Sequence, residues 1–219
     1  MRSKYEYCLF DLDGTLTDPA PGITASVAYA LEKFGIEVSD RAVLNKFIGP
    51  PLVYSFKTFY GFSDDMAKQA LTYYRERFSA GGIYENEIYP GIADLLRCIK
   101  SSGGRVILAT SKPEEFASMI LEHFGILEHF EFVAGNTLDE TRPEKRQVIE
   151  HILANYPGIS SENAVMVGDR EYDVLAAKEF ALPSIGVLFG YGSFEEHTKA
   201  GADALASDTA ELRALLIEE

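Results

Sequence analysis

The sequence predicts an α/β fold: a parallel sheet covered on both faces, interrupted near its start by an all-helical block. Three observations carry that reading. From about residue 89 onward, short apolar segments bounded by turn residues alternate with segments of helical period. Between residues 18 and 88 only helical periods are found. Three apolar segments run directly into polar clusters at Asp11, Thr110 and Asp169, and ligands of open α/β sheets bind outside the C-terminal ends of the strands. The three clusters are therefore expected to meet. The expected division is 1–17 with 89–219 as the core domain and 18–88 as a helical cap domain.

Residues 5–12 form the first strand, apolar and bounded by charge. Ile23, Val27, Ala30, Leu31 and Phe34 then follow the helical period until Gly35 stops it. Ser39-Asp40 caps a short second helix, and Gly49-Pro50-Pro51 breaks the chain before Leu52, Val53 and Phe56. A third helix covers residues 63–78, with Met66, Ala70, Tyr73 and Arg77 in register. After Tyr89-Pro90-Gly91 a helix through Ile92, Leu95, Leu96 and Ile99 ends at Gly103-Gly104. Strand 105–109 leads into Thr110-Ser111-Lys112-Pro113, then come a helix to Phe124 and a short strand near 132–134. Helix 145–155, strand 164–167, a helix to about Phe180 and strand 184–187 follow. Ser193 and Glu196 make a capping box for the next helix, and helix 209–217 ends the fold.

A net charge of −14, from 34 acidic and 20 basic residues, argues against a nucleic-acid polymer as partner, because phosphate backbones are bound by basic surfaces. It does not argue against a small phosphorylated metabolite, provided the site carries its own positive charge. No apolar run approaches the length that spans a bilayer, and the first ten residues are too polar for a secretory signal. A cytoplasmic monomer or homodimer is expected. Cys8 and Cys98 are then core hydrophobes rather than a disulfide.

Residues 10–17 read F-D-L-D-G-T-L-T. In a strand, residues i and i+2 share a side, so Asp11 and Asp13 emerge together where the strand gives way to Gly14. One carboxylate suits attack on phosphorus, the other proton transfer, and a cation keeps both charged. Asp13-Gly14 also fits a hairpin turn, but no second strand follows Thr15. The stretch V-M-V-G-D-R-E-Y-D sets Asp169 and Asp173 a helical turn apart. Mg²⁺ takes such oxygens, Asp169 directly and Asp173 through a water or by orienting the ligands. Asp169 also fits a helix N-cap.

Thr110-Ser111 opens a helix with Pro113 early in it, and hydroxyls with backbone N–H groups at such a start cradle phosphate; an ordinary cap is the alternative. Gly14 joins them in the phosphate-binding set. Lys145, heading its helix, is the candidate to neutralise the nucleophile and the phosphoryl group, with Lys112, Arg142 and Arg146 competing. Four carboxylates against one Mg²⁺ and one lysine leave a single negative charge.

Together these clusters resemble the haloacid dehalogenase-like superfamily of phosphohydrolases. D-L-D-G-T-L-T matches its first motif, Ala109-Thr110-Ser111 is similar to the second, and Val167 to Asp173 to the fourth. The third is irregular: Pro143 precedes Lys145 in T-R-P-E-K-R-Q-V-I, and Lys145 matches by its place ahead of the helix. G-V-L-F-G-Y-G, residues 186–192, is similar to phosphoglycolate phosphatase-like and 5′-nucleotidase-like members.

The resemblance implies a Rossmann-like three-layer core, a helical cap between the first and second motifs, and Mg²⁺ held by Asp11, the Asp13 backbone carbonyl and Asp169. It implies hydrolysis of a small phosphate monoester. Dehalogenase members lack the second aspartate, and mutase-type members carry a histidine where Ile23 stands. Gly49, Pro50 and Pro51 match a cap segment that faces substrate in relatives. Residues 23–89 hold 13 of the 26 Phe and Tyr residues, either as the cap's core or as rings that stack on a nucleobase. Nucleoside 5′-monophosphates therefore stand beside phosphoglycolate. Phosphosugar or phosphotyrosine hydrolysis on the same site, and a non-catalytic binding module, are the other readings. The last would predict damage at Asp11, Asp13, Lys145 or Asp169, and all four are present.

Overall fold

A computed structural model describes residues 1–218. The chain divides into two compact units, one of residues 1–17 with 88 onward, the other of residues 18–87.

The first unit is built on six strands: β1 (Tyr7–Phe10), β2 (Arg105–Pro113), β3 (Phe130–Asn136), β4 (Ala164–Gly168), β5 (Ser184–Val187) and β6 (Ala204–Ala206). Their spatial order is β3-β2-β1-β4-β5-β6, and every pair is parallel. The central strands β1 and β4 are buried along their whole length, as strands covered on both faces must be. One layer of that core joins Leu9, Ile107 and Met166 of the sheet to Val148, Ile149 and Ile152 of helix Lys145–Asn155 and to Ala176 and Ala177 of helix Glu171–Glu179. Strand order reverses at β1, the topological switch point where such sheets open a crevice at their C-terminal edge.

Two strands differ from expectation. β1 stops at Phe10, so Asp11 and Asp13 lie beyond it. The Asp11 N–H still reaches Val167 O (2.9 Å) and prolongs the ladder by one bond, while Asp13 bridges Thr17 in the following turn. β2 runs on through Pro113 instead of ending at Ala109, and the helix after it starts only at Glu114. Thr110 and Ser111 thus lie in the strand rather than in a helix; Pro113 disfavours a helical Lys112 before it and is itself extended at ψ 132°. At the C-terminus, Ile217–Glu218 leave the last helix and pair antiparallel with Arg2–Ser3.

The second unit holds helices Ala20–Glu32, Leu52–Tyr60 and Asp64–Ala80 with a 3-10 helix at Arg41–Phe47. Asp40 caps the 3-10 helix by accepting Ala42 N–H (2.9 Å). The buried stripe of Asp64–Ala80 is Ala67, Ala70, Leu71, Tyr74 and Phe78. It is rotated from the expected register, since Met66 is exposed and Arg77 pairs with Glu85 (2.8 Å). Ala67 and Ala70 are fully buried, and this helix packs against Ala20–Glu32. Several of the aromatic residues pack on one another: Phe56 stacks on Phe62 (5.8 Å), Phe47 meets Phe56 edge-on (5.1 Å), and Tyr74 stacks on Phe78 (5.2 Å). They form the core of this unit. Gly49, Pro50 and Pro51 link the 3-10 helix to Leu52–Tyr60, with Pro51 at its N-cap.

Among the described residues no helix is long and apolar enough to cross a membrane. Cys8 and Cys98 are free thiols; burial pushes Cys8 up to about 12, and Cys98 is only half-buried. Replacing Ile107, fully buried between β1 and β3, by Ala is expected to cost about 2–5 kcal/mol in urea unfolding. A loss under about 1 kcal/mol would mean that this layer is not the close-packed core described.

Candidate active site

Three strand ends converge. Asp11 follows β1, Thr110 lies in the last part of β2, and Asp169 follows β4. Lys145, at the first position of its helix, is the hub. Its Nζ donates to Ala109 O (2.7 Å) and lies 2.8 Å from both Asp11 Oδ1 and Asp173 Oδ1. One donor goes to the carbonyl, and the two carboxylates are held as ion pairs. The structure therefore uses Lys145 to fix the Asp11 and Asp173 carboxylates. A direct grip on phosphate would require it to exchange one of those partners.

Of the four candidate cations, two enter the site. Lys112 Nζ lies 2.6 Å from Asp13 Oδ2, and both side chains are largely buried. Arg142 instead pairs with Glu114 (2.8 Å) and Arg146 with Glu150 (3.3 Å). The expected charge balance changes accordingly. Four carboxylates face two ammonium groups, leaving two negative charges, which one divalent cation would neutralise.

Asp169 is fully buried, and its Oδ2 accepts the Tyr191 N–H (2.8 Å), while its Oδ1 has no hydrogen-bond partner. It caps nothing: Arg170 is the N-cap of Glu171–Glu179. The Arg170 N–H instead bonds Asp173 Oδ2 (3.1 Å). Asp173 thus has one oxygen ion-paired with Lys145 and the other on the helix start. Asp11, Asp169 and Asp173 offer oxygens within 4.8 Å of one another. An all-carboxylate set in which Asp11 Oδ1, Asp169 Oδ1 and Asp173 Oδ1 are buried without a hydrogen-bond partner is what a hard divalent cation takes.

The other expected residues fall as follows. Gly14 has φ +84°, and a side chain there would run into the Asp169 carboxylate. Its N–H is committed to Thr17 O (2.8 Å), so Gly14 makes room for Asp169 and does not offer that N–H to phosphate. Thr110 is buried, and its Oγ1 accepts the Lys112 N–H (3.2 Å); Ser111 is half-buried beside it. No helix start stands behind either of them. Glu196 completes only half of its capping box. Ser193 accepts Glu196 N–H (3.1 Å), but the Glu196 carboxylate takes Arg170 Nε (2.9 Å) and Glu171 N–H (2.8 Å), tying the helix after Asp169 in place. Lys112 and the Tyr191 N–H are the partners that sequence reasoning did not find in these roles.

Burial sets the electrostatics. It raises the Asp169 carboxyl well above the usual range, with Asp173 and Asp11 adding repulsion. It lifts Asp173 to about 6 against the pull of Lys145, and it raises Asp13 against the pull of Lys112. Burial alone would depress the Lys145 ammonium, but Asp11 and Asp173 outweigh it and its pKa ends above the ordinary value. A carboxyl with a raised folded pKa favours folding in its protonated form, and that advantage is lost as pH rises past the unfolded value of about 4. With chelator present, Asp169→Asn is therefore expected to melt at a higher temperature than wild type at neutral pH. The gap should close toward pH 4, and thermal melts across that range measure it. A variant that melts lower than wild type at pH 7 would contradict the described burial of charge.

The model of the haloacid dehalogenase-like hydrolases matches residues 8–187. The chain is 43% identical over 213 residues to a 5′-nucleotidase of Pseudomonas aeruginosa, spanning 97% of this chain and 96% of that one. It is 38% identical over 210 residues to the tyrosine-protein kinase PtkA of Mycobacterium tuberculosis, spanning 95% of this chain and 71% of that one. The crystal structure of a predicted phosphatase from Clostridium acetobutylicum aligns with a TM-score of 0.94 at 47% identity, over 96% of this chain and 97% of that one. With its aspartates, lysines and switch-point crevice in this arrangement, the chain belongs to the haloacid dehalogenase-like hydrolase family.

Proposed function

We propose that the chain is a Mg²⁺-dependent phosphatase that hydrolyses a small phosphate monoester through an aspartyl-phosphate on Asp11. The observation that carries this reading is the Lys145 clamp, which holds Asp11 Oδ1 at 2.8 Å beside the unpartnered Asp169 Oδ1. Asp11, the Asp13 backbone carbonyl and Asp169 would hold Mg²⁺, with Asp173 orienting them. The metal would cancel the excess negative charge and polarise the phosphoryl oxygens.

Asp11 attacks phosphorus, and the ester P–O bond breaks. Asp13 gives a proton to the departing oxygen, then takes one from the water that cleaves the acyl phosphate. Lys145 keeps Asp11 charged and aimed, and Thr110 and Ser111 bind phosphoryl oxygens. Residues 18–87 act as the cap, with Gly49, Pro50 and Pro51 as its specificity segment. A cytoplasmic monomer or homodimer completes the reading.

A nucleoside 5′-monophosphate is the preferred substrate, on the strength of the 5′-nucleotidase relative; phosphoglycolate is second. Most of the aromatic rings lend the nucleotide no separate support, since they pack on each other; Tyr54 and Tyr84 are exposed. The test is phosphate release with Mg²⁺ from nucleoside 5′-monophosphates, phosphoglycolate, sugar phosphates and a phosphotyrosine peptide. A hundredfold preference in kcat/KM for nucleotides, about 2.7 kcal/mol, is expected, with no release by Asp11→Asn. Turnover that survives Asp11→Asn would remove the covalent mechanism, and a preference for another ester would replace the substrate.

A further inference from the structure

We propose that Lys112 is a positioning residue for proton transfer: it holds one oxygen of Asp13 so that the other faces the leaving group. The proposal rests on the phosphatase reading above and adds to it a second cation with its own task.

The position is built. Against β3, strand β2 pairs Ala109 with Ala134 but Pro113 with Asn136. Residues 110–112 therefore stand opposite Gly135 alone, an irregularity that turns side chains away from the regular alternation. Two further features hold this bulge. Thr110 Oγ1 accepts the Lys112 N–H (3.2 Å), and Gly135 leaves the space that the Lys112 carbonyl needs, where any side chain would collide. The result is a lysine whose side chain is 6% exposed, with Nζ 2.6 Å from Asp13 Oδ2.

Asp13 itself is divided. Oδ2 is held by the ammonium, and Oδ1 is buried without a hydrogen-bond partner. Oδ1 is then the atom that carries the proton. As the Asp11–phosphorus bond forms and the ester P–O bond breaks, the proton passes from Asp13 Oδ1 to the departing oxygen. An alcohol leaves, and Asp13 is left as a carboxylate already paired with Lys112. The ion pair is stronger after transfer than before it, so it favours the transition state over the bound ester. In the second half, the attacking water returns a proton to Oδ1, phosphate departs and Asp11 is restored.

An oxygen that leaves readily needs little help from a proton; an alkoxide needs much. The test is kcat/KM with Mg²⁺ at one pH for 4-nitrophenyl, phenyl and alkyl phosphates, on wild type, Lys112→Met, Lys112→Arg and Asp13→Asn. Lys112→Met is expected to lose about a hundredfold on alkyl phosphates and only a few-fold on 4-nitrophenyl phosphate, with Lys112→Arg restoring most of the loss. Lys112→Gln carries the same expectation and serves if Met disturbs folding. Adding Lys112→Met to Asp13→Asn should cost little more than Asp13→Asn alone, because the two act as a unit. An equal loss on every ester, or full additivity with Asp13→Asn, would overturn the proposal while leaving the phosphatase reading intact. A wild-type protein that releases phosphate from none of these esters would overturn both.

Discussion

The site depends on one lysine. Asp11, Asp169 and Asp173 bring three carboxylates within reach of one another at a sheet edge where each is almost fully buried. Without compensation, burial and mutual repulsion would protonate them or push them apart. Lys145 opposes both, with an ammonium that is itself buried, hydrogen-bonded to Ala109 O and ion-paired with Asp11 and Asp173. Because Ala109 lies in β2, Asp11 follows β1 and Asp173 lies in the helix after β4, a single side chain joins three elements of the core. The remaining excess of negative charge is what makes the cluster a place for a cation.

Strand order supplies the geometry. In the order β3-β2-β1-β4-β5-β6, β1 is central, and the chain crosses to opposite sides of it. Its own C-terminal end and those of its two neighbours open at one edge, and each delivers one polar cluster. The arrangement leaves one carboxylate oxygen without a hydrogen-bond partner at each of Asp11, Asp13, Asp169 and Asp173. A buried acceptor without a donor costs stability, and such a cost is retained where function needs the atom. The turn at Gly14 and the Tyr191 N–H complete the packing around Asp169.

Much of this was legible in the sequence. The alternation of apolar strands and helices gave the parallel core, and D-L-D-G-T, G-D-R-E-Y-D and Lys145 ahead of its helix gave the residues that meet. What the sequence did not disclose has physical causes. The continuation of β2 through Pro113 is a tertiary pairing with β3, so Thr110 and Ser111 read locally as a helix start. Lys112 looked like one of three competitors to Lys145 because only the slipped register sends it to Asp13. The buried face of Asp64–Ala80 includes Ala67 and Ala70, small side chains that a hydrophobicity pattern weights too little. Glu196, which reads as a capping partner within its own helix, is drawn away by Arg170 and the start of a different helix. For β2, Lys112 and Glu196 a long-range contact outweighs a local preference.

The central claim is that Asp11 carries the phosphoryl group between substrate and water. Rapid acid quench with a ³²P-labelled ester tests it most directly, followed by borohydride reduction and peptide mapping. The expected result is an acid-stable, hydroxylamine-labile phosphoprotein whose reduced residue maps to position 11, absent from Asp11→Asn. Phosphate release with no phosphoprotein at any quench time, or a label mapped to another residue, would contradict it.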